Sequence, residues 1–160
     1  MSLTNHRNIY FLLLISVIGM VGYALYSEKV LGLVPCALCM TQRIFYCLVG
    51  FFALLALIHS QSHRLYALFM ALSAVIGASV AGRQVWLQHL PPDQVPACGP
   101  SLEYMLNTFP FAEALKMLLL GDGNCAEVVW RFIGLSMAEW SLIGLTGLAA
   151  ASLWQALRRQ

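Results

Sequence analysis

The chain has 160 residues, 60% of them hydrophobic and only 10% charged, with a mean hydropathy of +0.75, values that exclude a soluble globule and leave room for a single membrane domain. Nine basic and seven acidic residues leave a formal charge of +2, too small a bias for a nucleic-acid partner or a polybasic lipid anchor. Nothing resembles a Ser-His-Asp array, a phosphate-binding glycine loop or paired catalytic carboxylates, so hydrolytic chemistry has no support.

A membrane-spanning helix needs about 20 mostly apolar residues, and four runs approach that length: about 9–26, 40–58, 65–87 and 140–157. The first reads as a span and not a cleaved signal peptide, because its apolar stretch is long for one and no small-x-small cleavage site follows. In the third, Ala74, Gly77, Ala78 and Ala81 recur at helical spacing and predict a small-residue stripe that admits a neighbouring backbone. Between the spans lie a short connection, about 27–39, and a long one, about 88–139. In the long one, Pro91-Pro92 and Pro96 break regular structure. Residues Leu102–Leu120 then alternate apolar and polar side chains, as short interfacial helices would. Ala112, Leu115, Leu118 and Leu119 either face lipid there or pack on the bundle top. Arg7, Arg64, Arg158 and Arg159 lie in very short tails or turns. Lys29, Lys116 and Arg131 are spread thinly through the two connections, with Arg43 at the start of the second run, and the connections also hold all seven acidic residues. The expected architecture is an all-α bundle of four transmembrane helices, with both termini cytoplasmic and two outer loops.

Four of the five cysteines fall in those outer segments. Cys36 and Cys39, two residues apart, place both sulfurs at one helix end and allow a small, reducible disulfide ring. Cys98 and Cys125 form a second pair whose long separation suits a loop-closing disulfide in an oxidising compartment. Two inert structural disulfides are the plain alternative. A zinc site is a poorer one, since such sites usually have two short-spaced pairs and only one is present. Cys39 lies near the start of the second helix, where free N–H groups favour an anion, and Arg43, four residues on, shares its face. Arg43 read alone would merely reach lipid headgroups. Cys98 sits in Pro96-Ala97-Cys98-Gly99-Pro100, a turn-rich, exposed stretch open to attack by a protein thiol. His89, at the outer end of the third helix, is either an interfacial residue or part of the redox face. Cys47, inside the second helix, reads as a small apolar packing residue.

The run Val34-Pro-Cys-Ala-Leu-Cys-Met-Thr-Gln-Arg43 resembles the signature of the DsbB family of bacterial disulfide bond formation proteins. Gly123-Asn124-Cys125-Ala126-Glu127, with Trp130, Phe132, Gly134, Leu135, Met137 and Trp140, is similar to that family's approach to its last helix. Ala138, where family members often have proline, and the extra Cys47 are the departures. The resemblance implies a multi-pass protein of the bacterial inner membrane, a monomer, with its active cysteines on the periplasmic side. It implies a reduced thioredoxin-like partner of the DsbA type, which attacks the Cys98–Cys125 disulfide at Cys98 and forms a mixed disulfide there. Cys125 then attacks the Cys36–Cys39 disulfide, and Cys39, beside Arg43, passes the electrons to ubiquinone or menaquinone, with no metal required. His89 joins Arg43 and Cys39 as an expected quinone contact. Two other readings compete: a disulfide-stapled four-span scaffold similar in outline to a tetraspanin, although no Cys-Cys-Gly occurs, and a quinone-linked reductase similar to vitamin K epoxide reductase.

Overall fold

The computed structural model describes residues 6–59, 63–99, 104 and 107–158. Four long helices dominate: α1 (His6–Lys29), α2 (Ala37–Ile58), α3 (His63–Gln88) and α5 (Met137–Leu157), with the short α4 (Phe111–Leu120) in the long connection. At 21 to 26 residues, each long helix extends about 30–40 Å, and all four are long and apolar enough to cross a membrane. The protein is an all-α, four-span membrane bundle. Its helices are apolar on both faces, as burial in lipid requires: Tyr10, Leu13 and Val17 point inward from α1, while Phe11, Leu12, Ile15 and Ile18 are exposed.

The helices outrun the apolar stretches because polar residues cap them. Cys36 is the N-cap of α2, its sulfur accepting the Cys39 N–H at 3.4 Å, and Thr41 in the first turn donates its hydroxyl to the Ala37 carbonyl. Helix α5 starts at Met137 and not at Trp140 because Ser136 and Glu139 close a reciprocal capping box.

Helix α3 is the central element, packed against α2 and α5, and α1 leans on α2. Ala74, Gly77 and Ala81 are buried in that packing. A Cβ on Gly77 would lie 2.8 Å from the Phe45 Cβ and 3.1 Å from a Leu145 methyl, so α2 and α5 close on α3 at one point through a missing side chain. At the terminal end, the Tyr10 hydroxyl donates to the His63 carbonyl and Arg64 donates to the Arg158 carbonyl. The start of α1 and the end of α5 therefore share one face of the bundle, and the described residues of the connections after α1 and after α3 lie at the other.

On that other face, the carbonyl of Leu120 accepts from the Arg83 guanidinium, and Gly121, at φ +72, turns the chain against Leu38 and Leu87. The end of α4 is thereby docked over α2 and α3. Ala112 and Leu119 on this helix are exposed, whereas the side chains of Leu115 and Leu118 lie outside the described set, as do residues 102, 103, 105 and 106 of the expected interfacial stretch. A 3-10 turn, Gly123–Cys125, follows, and then a two-stranded hairpin: β1 (Arg131–Phe132) and β2 (Leu135–Ser136), pairing Arg131 with Ser136 and Phe132 with Leu135. Ile133 (φ 53) and Gly134 (φ 81) supply the left-handed pair that a tight two-residue hairpin loop demands.

Candidate functional site

The first turn of α2 brings three of the cysteines together. The Cys36 and Cys39 sulfurs lie 3.0 Å apart, and the Cys36 thiol also hydrogen-bonds to Cys125, which the 3-10 turn delivers from the far loop into a buried position beside Leu38 and Leu87. Gly123 can approach the Pro96–Cys98 strand of backbone only because it has no side chain: a Cβ there would sit 2.5 Å from the Pro96 carbonyl oxygen, and its N–H donates to the Ala97 carbonyl at 3.2 Å. Cys98 is thus held next to the turn that carries Cys125, but is exposed where Cys125 is buried.

Cys36 is the central sulfur. Donating its S–H toward Cys125, then toward Cys39, together with burial, pushes the Cys36 thiol well above the ordinary thiol range. That same S–H holds Cys125 below its ordinary value, against the cost of burial. With Cys39 on one side and Cys125 on the other, a disulfide at Cys36 has two possible partners already in contact.

Arg43 does lie on the Cys39 side of α2, but its guanidinium is committed elsewhere. It forms a salt bridge with Glu28, and it donates to the Ala24 carbonyl at 3.1 Å and to the Met40 sulfur at 3.7 Å. The direct partners of the Cys39 sulfur are Cys36 and the amide of Gln84. Gln84 and Gln42, each 4% exposed, hydrogen-bond to one another at 2.7 Å across α2 and α3. Gln42 lies within the Val34–Arg43 run but carried no role there, and Gln84 lies in no motif, although an uncharged polar side chain buried within a membrane-spanning helix is a known pointer to function.

Two cavities meet at the pair. One, of about 350 Å³, has almost wholly apolar walls, including Met20, Tyr23, Tyr46, Trp130 and Trp140, with Cys39, Gln42, Arg43, Gln84 and Ser141 as its polar members. The other, of about 800 Å³, is a vestibule with more polar groups in its wall, among them Glu28, Arg43, Asp122, Asn124 and Glu127 beside Cys36 and Cys39. Cys39 faces both, whereas Cys36 faces only the vestibule. The hairpin roofs the apolar cavity: Trp130 packs on Tyr23 at 5.8 Å and stacks on Phe132 at 5.9 Å, and the Trp140 indole N–H donates to the Phe132 carbonyl. An apolar hollow of this size suits a flat aromatic or quinonoid ring, with the Cys39 sulfur and a few donors at its polar edge.

His89 is placed differently from the expected contact. It is exposed, its ring Nδ1–H donates to the Val85 carbonyl at 2.8 Å along its own helix, and neither cavity wall includes it. Cys47 does not pack inside α2. The inward stripe of that helix is Gln42, Tyr46, Val49, Gly50 and Ala53, which leaves Cys47 beside Ile44 and Leu48 on the exposed face.

The family model for Disulfide bond formation protein DsbB matches residues 6–155. The chain belongs to the DsbB family. Among its relatives named Disulfide bond formation protein B, that of Saccharophagus degradans is 49% identical over 160 residues, covering 98% of this chain and 96% of the relative. That of Hahella chejuensis is 48% identical with the same coverage, and Disulfide bond formation protein B 1 of Pseudomonas aeruginosa is 41% identical over 99% of both chains. Membership makes the chain a membrane disulfide-forming oxidoreductase.

Proposed function

We propose that the chain reoxidises a periplasmic thioredoxin-like dithiol protein of the DsbA type and delivers the electrons to membrane quinone, ubiquinone or menaquinone, from the inner membrane of a bacterium. The observation that carries this reading is the position of Cys36, in contact with both Cys39 and Cys125, with Cys39 alone of the three opening onto the apolar cavity.

The exposed Cys98 receives the partner thiol, which breaks a Cys98–Cys125 disulfide and frees Cys125. Cys125 then attacks Cys36, with which it is already in contact, and the displaced electron pair settles on Cys39. The electron pair thereby moves from the vestibule to the edge of an apolar chamber without motion of a helix. A quinone bound in that chamber supplies a two-electron acceptor that diffuses in the bilayer. Tyr46, Trp130 and Trp140 shape its walls, Arg43 supplies the fixed positive charge at its edge, and the hairpin shields it from water. His89, tied back to Val85, has no contact with this chamber.

Purified protein given a reduced DsbA-type partner is expected to consume ubiquinone, and Cys39→Ser is expected to abolish that turnover. A Cys39→Ser variant that still reduced quinone would sink the mechanism. Cys125→Ser is expected to accumulate a covalent adduct with the partner through Cys98, an outcome that a disulfide-stapled scaffold would not give.

A further inference from the structure

Among the described residues, Gln84 is the neutral side-chain donor that reaches both sulfurs of the short pair. Its Nε2 lies 3.3 Å from the Cys36 sulfur and 3.2 Å from the Cys39 sulfur, while its Oε1 accepts from Gln42 Nε2 at 2.7 Å. A buried amide has two N–H donors and one carbonyl to satisfy, and both glutamines are 4% exposed. With the carbonyl engaged by Gln42, the donors are turned toward the sulfurs. We propose that Gln84 is a catalytic hydrogen-bond donor that takes up the charge appearing on Cys39 when the Cys36–Cys39 disulfide opens, and that Gln42 is the positioning residue fixing its orientation. This rests on the exchange role given above to the pair.

In the step concerned, the Cys125 thiolate attacks the Cys36 sulfur. The Cys36–Cys125 bond forms, the Cys36–Cys39 bond breaks, and the electron pair leaves on the Cys39 sulfur. One disulfide replaces another, one thiolate replaces another, and no outside oxidant or proton enters. The Gln84 N–H groups meet the new charge without moving. Arg43 acts on the same sulfur only across space, because its own donors are held by Glu28, Ala24 and Met40. A neutral amide also suits both protonation states: it donates to a thiolate, and when Cys39 carries its proton the S–H has the Gln84 carbonyl 3.6 Å away. When the disulfide reforms it leaves no unpaired charge beside an apolar cavity.

The test uses quinone-free full-length protein in detergent, with Cys47, Cys98 and Cys125 replaced by alanine so that only the short pair titrates against glutathione. Hydrogen bonds to a charged group are worth more than neutral ones, so Gln84→Met is expected to shift the equilibrium about tenfold toward the disulfide, a potential about 30 mV more reducing. Gln42→Met is expected to shift it in the same direction by less, and to add nothing in a Gln84→Met background. A purely structural role would lower the melting temperature and leave the equilibrium unmoved. A Gln84→Met pair titrating with the parent overturns the inference, and if that protein does not fold, an unmoved Gln42→Met overturns it instead. A parent pair that forms no disulfide at any glutathione ratio overturns the exchange mechanism itself, which separates the two failures.

Discussion

Arg43 and the three sulfurs show how much of a site a motif can carry. The nearness of Cys36, Cys39 and Arg43 in sequence announced a helix-end redox pair, but it said nothing of Cys125, and the i, i+4 spacing that puts Arg43 on the face of Cys39 says nothing of Glu28 and Ala24, which arrive from α1 and take its donors. The arginine is therefore a tether between α1 and α2 as well as a charge at the cavity edge. Arg43→Ala is expected to raise the apparent quinone KM roughly tenfold while the protein stays folded, as loss of a binding interaction would; steady-state kinetics with varied ubiquinone reads it, and an unchanged KM counts against the role. Glu28→Gln is expected to do less, since an amide can still accept from Arg43 and the pair is partly solvated. The thiols give a pH prediction. Cys36 is held above its ordinary value chiefly by donating to Cys125, so in the fully reduced protein it stays protonated and unreactive at pH values where an ordinary thiol has begun to ionise, near about 8.5. Replacing Cys125 with alanine removes the main cause. The pH midpoint for alkylation of Cys36, mapped by mass spectrometry, is then expected to fall back toward the ordinary value. A midpoint that stayed where it was, or rose, would refute the assignment.

The helices were legible because lipid imposes length and apolarity on them, and the small-residue stripe of α3 was legible because only close backbone approach explains it. The two glutamines were passed over because pattern reading looks for charge and cysteine, and the hairpin because strands of two residues leave no periodicity to detect. Gly134 alone hinted at the turn. Packing at the stripe is testable by contrast. Gly77→Ala would place its Cβ 2.8 Å from Phe45, an overpacking expected to cost about 1–3 kcal/mol. On the same helix Gly82, whose added Cβ would meet nothing nearer than 4.0 Å, should accept alanine with no loss of stability. Thermal unfolding in one detergent compares the two, and equal melting temperatures would show that α2 and α5 do not close on Gly77. At the start of α5, Ser136 both caps the helix and donates to Gln88 on α3. Ser136→Ala is expected to lose about 1 kcal/mol for the cap alone, and because Ser136 also borders the vestibule, it tests whether hairpin position matters to turnover.

Across the molecule, charge and redox chemistry have to agree on one orientation. Arg7, Arg64 and Arg158 stand at the end of the bundle where the chain begins and finishes, while Glu28, Asp93, Asp122, Glu127 and Glu139 lie at the other, with Cys36, Cys98 and Cys125. Basic residues in short segments hold their side in the cytoplasm, so the sulfurs are expected to face the oxidising compartment, where a disulfide relay can persist. In intact cells, a membrane-impermeant maleimide added after mild reduction is expected to label the exposed Cys98. A His59→Cys substitution in a background with all five native cysteines replaced by serine places a thiol at the opposite end and should stay unlabelled until the membrane is permeabilised. The reverse pattern would put the exchange site against a reducing cytoplasm and, with it, remove the basis for a periplasmic partner. Labelling of both positions in intact cells would mean mixed insertion, in which case deleting Arg7 and Arg64 should change the ratio, because those charges, and not the acids at the far end, set the orientation.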